Sequence, residues 1–507
     1  MPDNLFARFV AAAPDLGRSL LRPPAGPALS YREVFAAAAR FAHVLVRHGA
    51  KPGDRVAVQV EKSPAALILY LACLRAGFVY LPLNTGYTPA ELAYFVQDAE
   101  PCLFVCSDRN REKIAACLPA MTFLTISDDG QDGSLIREAA GAPDVFADAE
   151  TGMGDLASIL YTSGTTGRSK GAMLTHGNLC SNADSLRQAW EFSRDDVLLH
   201  ALPIFHIHGL FVATNVSLLA GASILLLPKF EPDAVFQALP HATVMMGVPT
   251  FYTRLLKDGR LAADSTRSMR LFISGSAPLL PETHNAWRER TGHAILERYG
   301  MTETNMNTSN PYEGARIPGS VGLPLPGVEI RIADDEGCPV PQGEIGMIEV
   351  RGPNVFKGYW KMPEKTATEF RRDGFFITGD LGTIGADGYL RIVGRGKDLI
   401  ITGGLNVYPR EIESLLDDLP GVEESAVVGL PHDDFGEGVT AFLVLKPGVR
   451  LTQEDVAGGL GDRLARFKLP KRVLFVEQLP RNGMGKVQKS ALREEHAGLY
   501  RSESKLL

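Results

Sequence analysis

Short, continuously apolar runs recur along the first three-fifths of the chain. RVAVQV (55–60) and VYLPL (79–83) are followed by CLFVCS, TFLTIS, ASILYT, LLHALP, SILLLP, TVMMGVP and LFISGS. Helical stretches separate them, the clearest being AALILYLACL (65–74) between Lys62 and Arg75. Strands that are apolar throughout, rather than alternating, predict parallel sheets covered on both faces by helices. The longer run LFVATNVSLLAGASILLL (210–227) is interrupted by Asn215 and Gly221, so it predicts helix, turn and strand rather than a membrane span.

The texture changes near residue 318. PGSVGLPLPGVEIRIAD, GEIGMIEVRG and GYLRIVGR are strands joined by Gly/Pro turns without helices, which predicts an antiparallel or barrel-like appendage. After GRGKDLI (394–400) a smaller α+β pattern begins. It has a helix over 409–418, the strands ESAVVGLP and TAFLVLKP, a helix near 453–466, the strand VLFVEQ and the glycine-rich RNGMGKVQK. The expected organisation is α/β, with a large domain over 1–395, a small α+β domain over 396–507, and a frayed tail after about 497.

Composition narrows the function classes. The formal net charge is −7 and no long basic run occurs, which argues against a nucleic-acid partner. The six cysteines form no C-x-x-C pair, so free buried thiols are expected rather than disulfides or zinc. MPDNLFARFV shows no basic stretch leading into an apolar one, and the reading is a cytoplasmic protein without a membrane partner.

Four segments carry chemistry. YTSGTTGRSKG (161–171) concentrates glycines, hydroxyls and two cations behind an apolar run. Glycines let backbone N–H groups approach phosphate oxygens, while Lys170 and Arg168 offset charge. It is not the G-x-x-x-x-G-K-[ST] loop, because Lys170 is followed by Gly171. In ERYGMTETN (297–305), Tyr299 offers a flat face beside Gly300, and Thr302 and Glu303 suit a phosphate and Mg²⁺; an ordinary helix cap is the plainer alternative. Asp380 in GFFITGDLG suits ribose hydroxyls, or an Asx-turn. Lys486 follows Gly-Met-Gly, which suits a cation carried by a moving element, or simply a solvated lysine.

The ordered set YTSGTTGRSKG, YGMTE, TGD, GR-x-KD and PRN-x-x-GK resembles the adenylate-forming superfamily of acyl-CoA synthetases, adenylation domains and luciferases, over essentially the whole chain. The resemblance implies a large N-terminal domain of two αβ sheets plus a distorted β-barrel, and a small mobile C-terminal domain. It implies that Thr162, Ser163, Gly164, Thr165, Thr166, Gly167, Arg168 and Lys170 wrap the β- and γ-phosphates of ATP. Tyr299 would stack on adenine, with Gly275, Ser276 and Ala277 on its other side. Thr302 would touch the α-phosphate, Glu303 would hold Mg²⁺, and Asp380 and Arg395 would bind the ribose. Lys486 would bridge the acid and the α-phosphate, Lys397 would be the hinge, and Gly403 and Gly404 would line a channel for coenzyme A. The matching lysine of relatives is acetylated, which implies an acetyltransferase and deacetylase acting on Lys486.

The acyl pocket would be lined by PIFHIHGLF, GVPTFYTRLL, the SGSAP loop and Met301. His206 recurs in relatives as a gate. His206, His208 and Arg254 make this pocket polar, with Ser274 also lining it, and arginine offers the fork that best matches a second carboxylate; His208 is equally read as a hydrogen-bonded core histidine. Arg254 either points into the pocket or lies on the outer face of its helix. FHIHGL, GVPT-x-Y-x-R-L and LERYGMTETNMNTSNP look like malonyl-CoA synthetases, with methylmalonate the poorer substrate because one methyl discriminates weakly. Three alternatives stay open: oxalate or another short acid, a stand-alone adenylation domain that loads a carrier protein, and a non-catalytic nucleotide-binding module.

Overall fold

A computed structural model of the chain describes residues 4–13, 15–162, 169–402, 405–432, 435–460, 463–464, 466–482 and 485–500. Two compact units emerge. Unit 1 comprises Met1–Ile330 and Val350–Phe376; unit 2 comprises Arg331–Glu349 and Ile377–Leu507.

Unit 1 is built on two sheets of mostly parallel strands, as the apolar runs predicted. In one, the described strands run in the order Phe123–Ile126, Leu103–Ser107, Arg55–Gln59, Val79–Pro82, Leu156–Thr162 and Lys170–Thr175. The last pair is antiparallel, with Thr162 opposite Lys170. In the other sheet, Ser223–Leu226, Val197–His200, Val244–Gly247, Leu271–Ser274 and Leu296–Met301 are neighbours and parallel. Asn305–Ser309 then returns antiparallel.

The helix Pro64–Arg75 lies wholly inside the unit, with Ala65–Arg75 buried. Its start is fixed by the Ser63 side chain accepting from the Ala66 N–H and by Pro64 in the first turn. The 210–227 run divides as expected into a helical stretch ending at Ala220, a left-handed Gly221 and the strand Ser223–Leu226. The seven residues His208–Thr214, which start two positions ahead of that run, adopt the wider π-helical winding. Among the described residues no helix is long and apolar enough to cross a membrane.

The Gly/Pro-punctuated region supplies the strands Glu329–Ala333, Gly346–Arg351, Phe376–Ile384 and Leu390–Arg395, side by side in that order. In unit 2 a second sheet orders Leu405–Val407, Ile400–Thr402, Gly436–Leu445 and Val422–His432, with Arg472–Phe475 also paired to Gly436–Leu445. The helix Pro409–Asp417 packs Ile412 and Leu416 into its core. Within the helix predicted near 453–466, Gln453–Leu460 are helical.

Candidate active site

In unit 1 the carboxyl ends of the parallel strands converge on one group of side chains, the edge where open α/β sheets bind ligands. His200, Ser274 and Met301 end their strands, and the loop after Leu271–Ser274 carries Gly275, Ser276 and Ala277. Ser276 has φ +72°, a conformation costly for a residue with a side chain. Its hydroxyl lies 3.2 Å from His208 Nδ1.

His208 is buried, and Nε2 has no hydrogen-bond partner among the described residues. Burial first, and then the Arg298 charge, hold the imidazole well below its ordinary pKa, so it is neutral. Arg298 is 4 % exposed, and its Nε and Nη2 have no partner among the described residues. Burial pulls the guanidinium down to about 9. Ser274 is buried too, and its Oγ is unpartnered among the described residues. A Cβ on Gly275 would lie 2.4 Å from Arg298 Cζ, so only glycine leaves the guanidinium its space.

The two readings left open for Arg254 are separated by its helix. Pro249–Leu256 buries Tyr252 and Leu255, and at about 100° per residue position 254 falls on the other side. Arg254 is exposed, whereas Arg298 is buried. Arg298 was visible only as a charge inside the strand-like LERYGM, a signal that sequence reasoning passed over.

A second cluster lies where Thr162 and Lys170 face each other on paired strands. Glu303 is buried in the turn between Leu296–Met301 and Asn305–Ser309, not at a helix cap. Its Oε1 lies 3.0 Å from Tyr359 Oη and accepts from Thr162 Oγ1 at 3.4 Å. Burial raises the Glu303 pKa. Tyr359 Oη also lies 2.6 Å from Glu369 Oε2, and Lys170 Nζ donates to Glu369 Oε1 at 3.2 Å while sitting 4.3 Å above the Tyr359 ring. Sequence reasoning named Thr162, Lys170 and Glu303 but missed Tyr359 and Glu369. Thr302 and Met301 are half-buried, Tyr299 is buried, and His206 is half-buried with its ring 4.6 Å from that of Phe205.

Beneath the histidine segment, Lys62 Nζ donates to His200 Nδ1 at 2.8 Å and to the His200 carbonyl at 2.7 Å. His200 Nε2 donates to the Gly209 carbonyl at 2.8 Å. Burial pushes both the lysine and the histidine well below their ordinary values, with the Lys62 charge adding to the shift of His200. The pair ties the end of Val197–His200 to the start of the π-helical turn.

In unit 2, Asp380 stands opposite Arg395 on paired strands, with Oδ1 and Nε 3.2 Å apart. Asp380 is buried, while Arg395 is half solvated. Lys397 follows in a tight turn, Gly396–Asp398, and burial, then Arg395, lower its pKa. Lys486 is exposed, and its backbone N–H donates to Asn482 Oδ1 at 3.0 Å in a tight turn. Ser163, Gly164, Thr165, Thr166, Gly167 and Arg168, like Gly403 and Gly404, lie outside the described residues.

Residues 12–360 match the AMP-binding enzyme family, and 411–486 match the AMP-binding enzyme C-terminal domain. The chain belongs to the AMP-binding enzymes. Among its relatives, a feruloyl-CoA synthase from an Amycolatopsis species is 38% identical over 476 residues, covering 92% of this chain and 94% of that protein. A malonate–CoA ligase from Arabidopsis thaliana is 37% identical over 481 residues, covering 88% and 78%. The solved structure of ATP-bound MatB from Rhodopseudomonas palustris superimposes with a TM-score of 0.97 at 59% identity, covering 99% of this chain and all of that one.

The mixed α/β architecture, with a large N-terminal part and a smaller C-terminal one, is that of this AMP-binding family. Glu303 fits a magnesium site, since Mg²⁺ is held through one or two carboxylates together with substrate phosphates, and this buried carboxylate adjoins Thr162 at the end of its strand.

Proposed function

We propose that this AMP-binding enzyme is a malonyl-CoA synthetase. It is an AMP-forming acid–thiol ligase, consuming ATP and coenzyme A. The observation that carries the choice of acid is Arg298, a buried guanidinium with two unpartnered nitrogens beside the neutral His208 and the unpartnered Ser274 hydroxyl. A buried cation left without an anion is costly, and a second carboxylate on the substrate supplies what the site lacks.

The reaction runs in two displacements. A carboxylate oxygen of the acid attacks the α-phosphorus of ATP and pyrophosphate leaves; the thiol of coenzyme A then attacks the acyl carbon and AMP leaves. In the first step Lys170 and Thr162 take the outgoing phosphates, Thr302 the α-phosphate, and Tyr299, Ser276 and Ala277 the adenine. Asp380 and Arg395 take the ribose. Lys486 offsets charge developing at the α-phosphorus, stabilisation that is strongest in the transition state. Mg²⁺ held at Glu303 would neutralise phosphate charge. His206 closes the acid against the adenylate, and Met301 limits its length. For the second step we place a hinge at Lys397, near the boundary proposed at 395/396, and the coenzyme A channel at Gly403 and Gly404. Acetylation of Lys486 would remove its charge. A cytoplasmic location belongs to the same proposal, supported by the free buried Cys73 and Cys106.

The feruloyl-CoA synthase relative favours a second reading, an aryl monocarboxylate. Thioester formation across malonate, methylmalonate, oxalate, succinate, acetate and ferulate separates the two. Arg298→Met should lower kcat/KM for malonate by roughly two to three orders of magnitude, the scale for breaking a buried charge pair, and spare any turnover of acetate. Arg254→Met should have far less effect on malonate. Preference for ferulate, or equal loss on malonate and acetate, would overturn the dicarboxylate reading.

A further inference from the structure

The contact between Lys170 and Glu369 bears on how the nucleotide is held. Lys170 stands directly across from Thr162. Its side chain is 12% exposed and that of Glu369 is 19% exposed, so water screens their attraction only partly. Glu369 closes the helix Pro363–Glu369 and is fixed from two further directions. Tyr359 Oη donates to its Oε2 at 2.6 Å, and Lys365 Nζ lies 2.7 Å from Oε1, the same oxygen that receives Lys170. The lysine that would offset the phosphates therefore already has a well-anchored counter-ion.

Resting on the reading of 162–170 as the site for the ATP phosphates, we propose that Glu369 competes with those phosphates for Lys170, weakening the hold on ATP and easing release of pyrophosphate. A pyrophosphate bound too tightly would stall the enzyme before the thiol step, and an internal carboxylate that takes the lysine back shortens that stay. Lys365 tempers the competition by sharing Oε1. Glu369 acts through Lys170 and is a positioning residue, not a catalytic one.

Two substitutions of opposite sign test this on the full-length chain. Calorimetric titration with ATP and Mg²⁺ should show Glu369→Gln binding about fivefold more tightly than wild type, the upper end for an ion pair of this exposure. Pyrophosphate should inhibit that variant at correspondingly lower concentration, KM for ATP should fall, and KM for the acid should hold. Lys365→Met, a change at a half-exposed position, leaves Oε1 to Lys170 alone and should weaken ATP binding about twofold. In a Lys170→Met background the Glu369→Gln gain should vanish. A general loss of packing does not tighten a ligand, so the gain separates the proposal from a structural role. Glu369→Gln binding ATP as wild type does, or more weakly, overturns it, as does tighter binding by Lys365→Met. Wild-type protein that fails to bind ATP would overturn the phosphate-site reading itself.

Discussion

An arginine enclosed by protein gives up hydration that only an anion restores, and the space around it is as much a part of the site as the charge. Gly275 supplies that space: a methyl there would stand 2.4 Å from Arg298 Cζ and 2.5 Å from Nη1. Gly275→Ala should push the guanidinium aside without removing its charge. Overpacking of this kind costs roughly 1–3 kcal/mol, so KM for malonate should rise by about tenfold or more while KM for ATP changes little. Steady-state kinetics with each substrate varied in turn checks this, and an unchanged KM for malonate would remove Arg298 from the acid pocket. Arg298 also marks the limit of what could be read beforehand. Residue type pointed to an arginine at Arg254, but which arginine is buried depends on the phase of the Pro249–Leu256 helix and on the course of Leu296–Met301, both fixed by tertiary packing.

At the scale of elements, those that bury both faces were legible, because most residues in them are apolar. The strands from RVAVQV to LFISGS and the helix Pro64–Arg75 form as expected. What stayed hidden depends on close approach between distant atoms. ERYGMTETN left a helix cap open, yet it forms a bulged hairpin in which Asn305 turns through φ +51°. The π-helical start at His208 depends on Gly209, where a Cβ would lie 2.0 Å from the Pro203 carbonyl oxygen. The buried Lys62–His200 pair joins residues 138 positions apart and left no local trace. Gly300 gives the hairpin its own test, since a Cβ there would stand 1.9 Å from the Asn305 carbonyl oxygen. Gly300→Ala should destabilise unit 1 by roughly 1–3 kcal/mol and shift Glu303 relative to Thr162, so ATP affinity should fall with stability. Urea unfolding and ATP titration measure the two effects. A variant as stable as wild type would show that the hairpin has a looser path than the one described.

For the molecule as a whole, unit 1 contains a set of histidines that burial keeps neutral. Burial, as the leading cause, holds His176 and His284 at about 4, and holds His200 and His208 well below the ordinary value. An unfolded chain titrates these groups near 6.5. Between pH 6.5 and 4 the unfolded state therefore binds more protons than the folded one, and stability must fall as pH falls through that window. Each histidine contributes up to about 1.4 kcal/mol per pH unit there, and His176 and His284 stop contributing below about 4, where the folded state takes up its own protons. The three tryptophans, Trp190, Trp287 and Trp360, all lie in unit 1, so their fluorescence reports its melting within the full chain. The midpoint should drop steadily from pH 6.5 to 4. His176→Gln should make that drop shallower, because glutamine can still accept the Leu5 N–H that His176 Nδ1 accepts at 3.4 Å but takes up no proton. A midpoint that stays level across the window, or a His176→Gln slope equal to that of wild type, would mean that these histidines are hydrated enough to titrate in the folded protein.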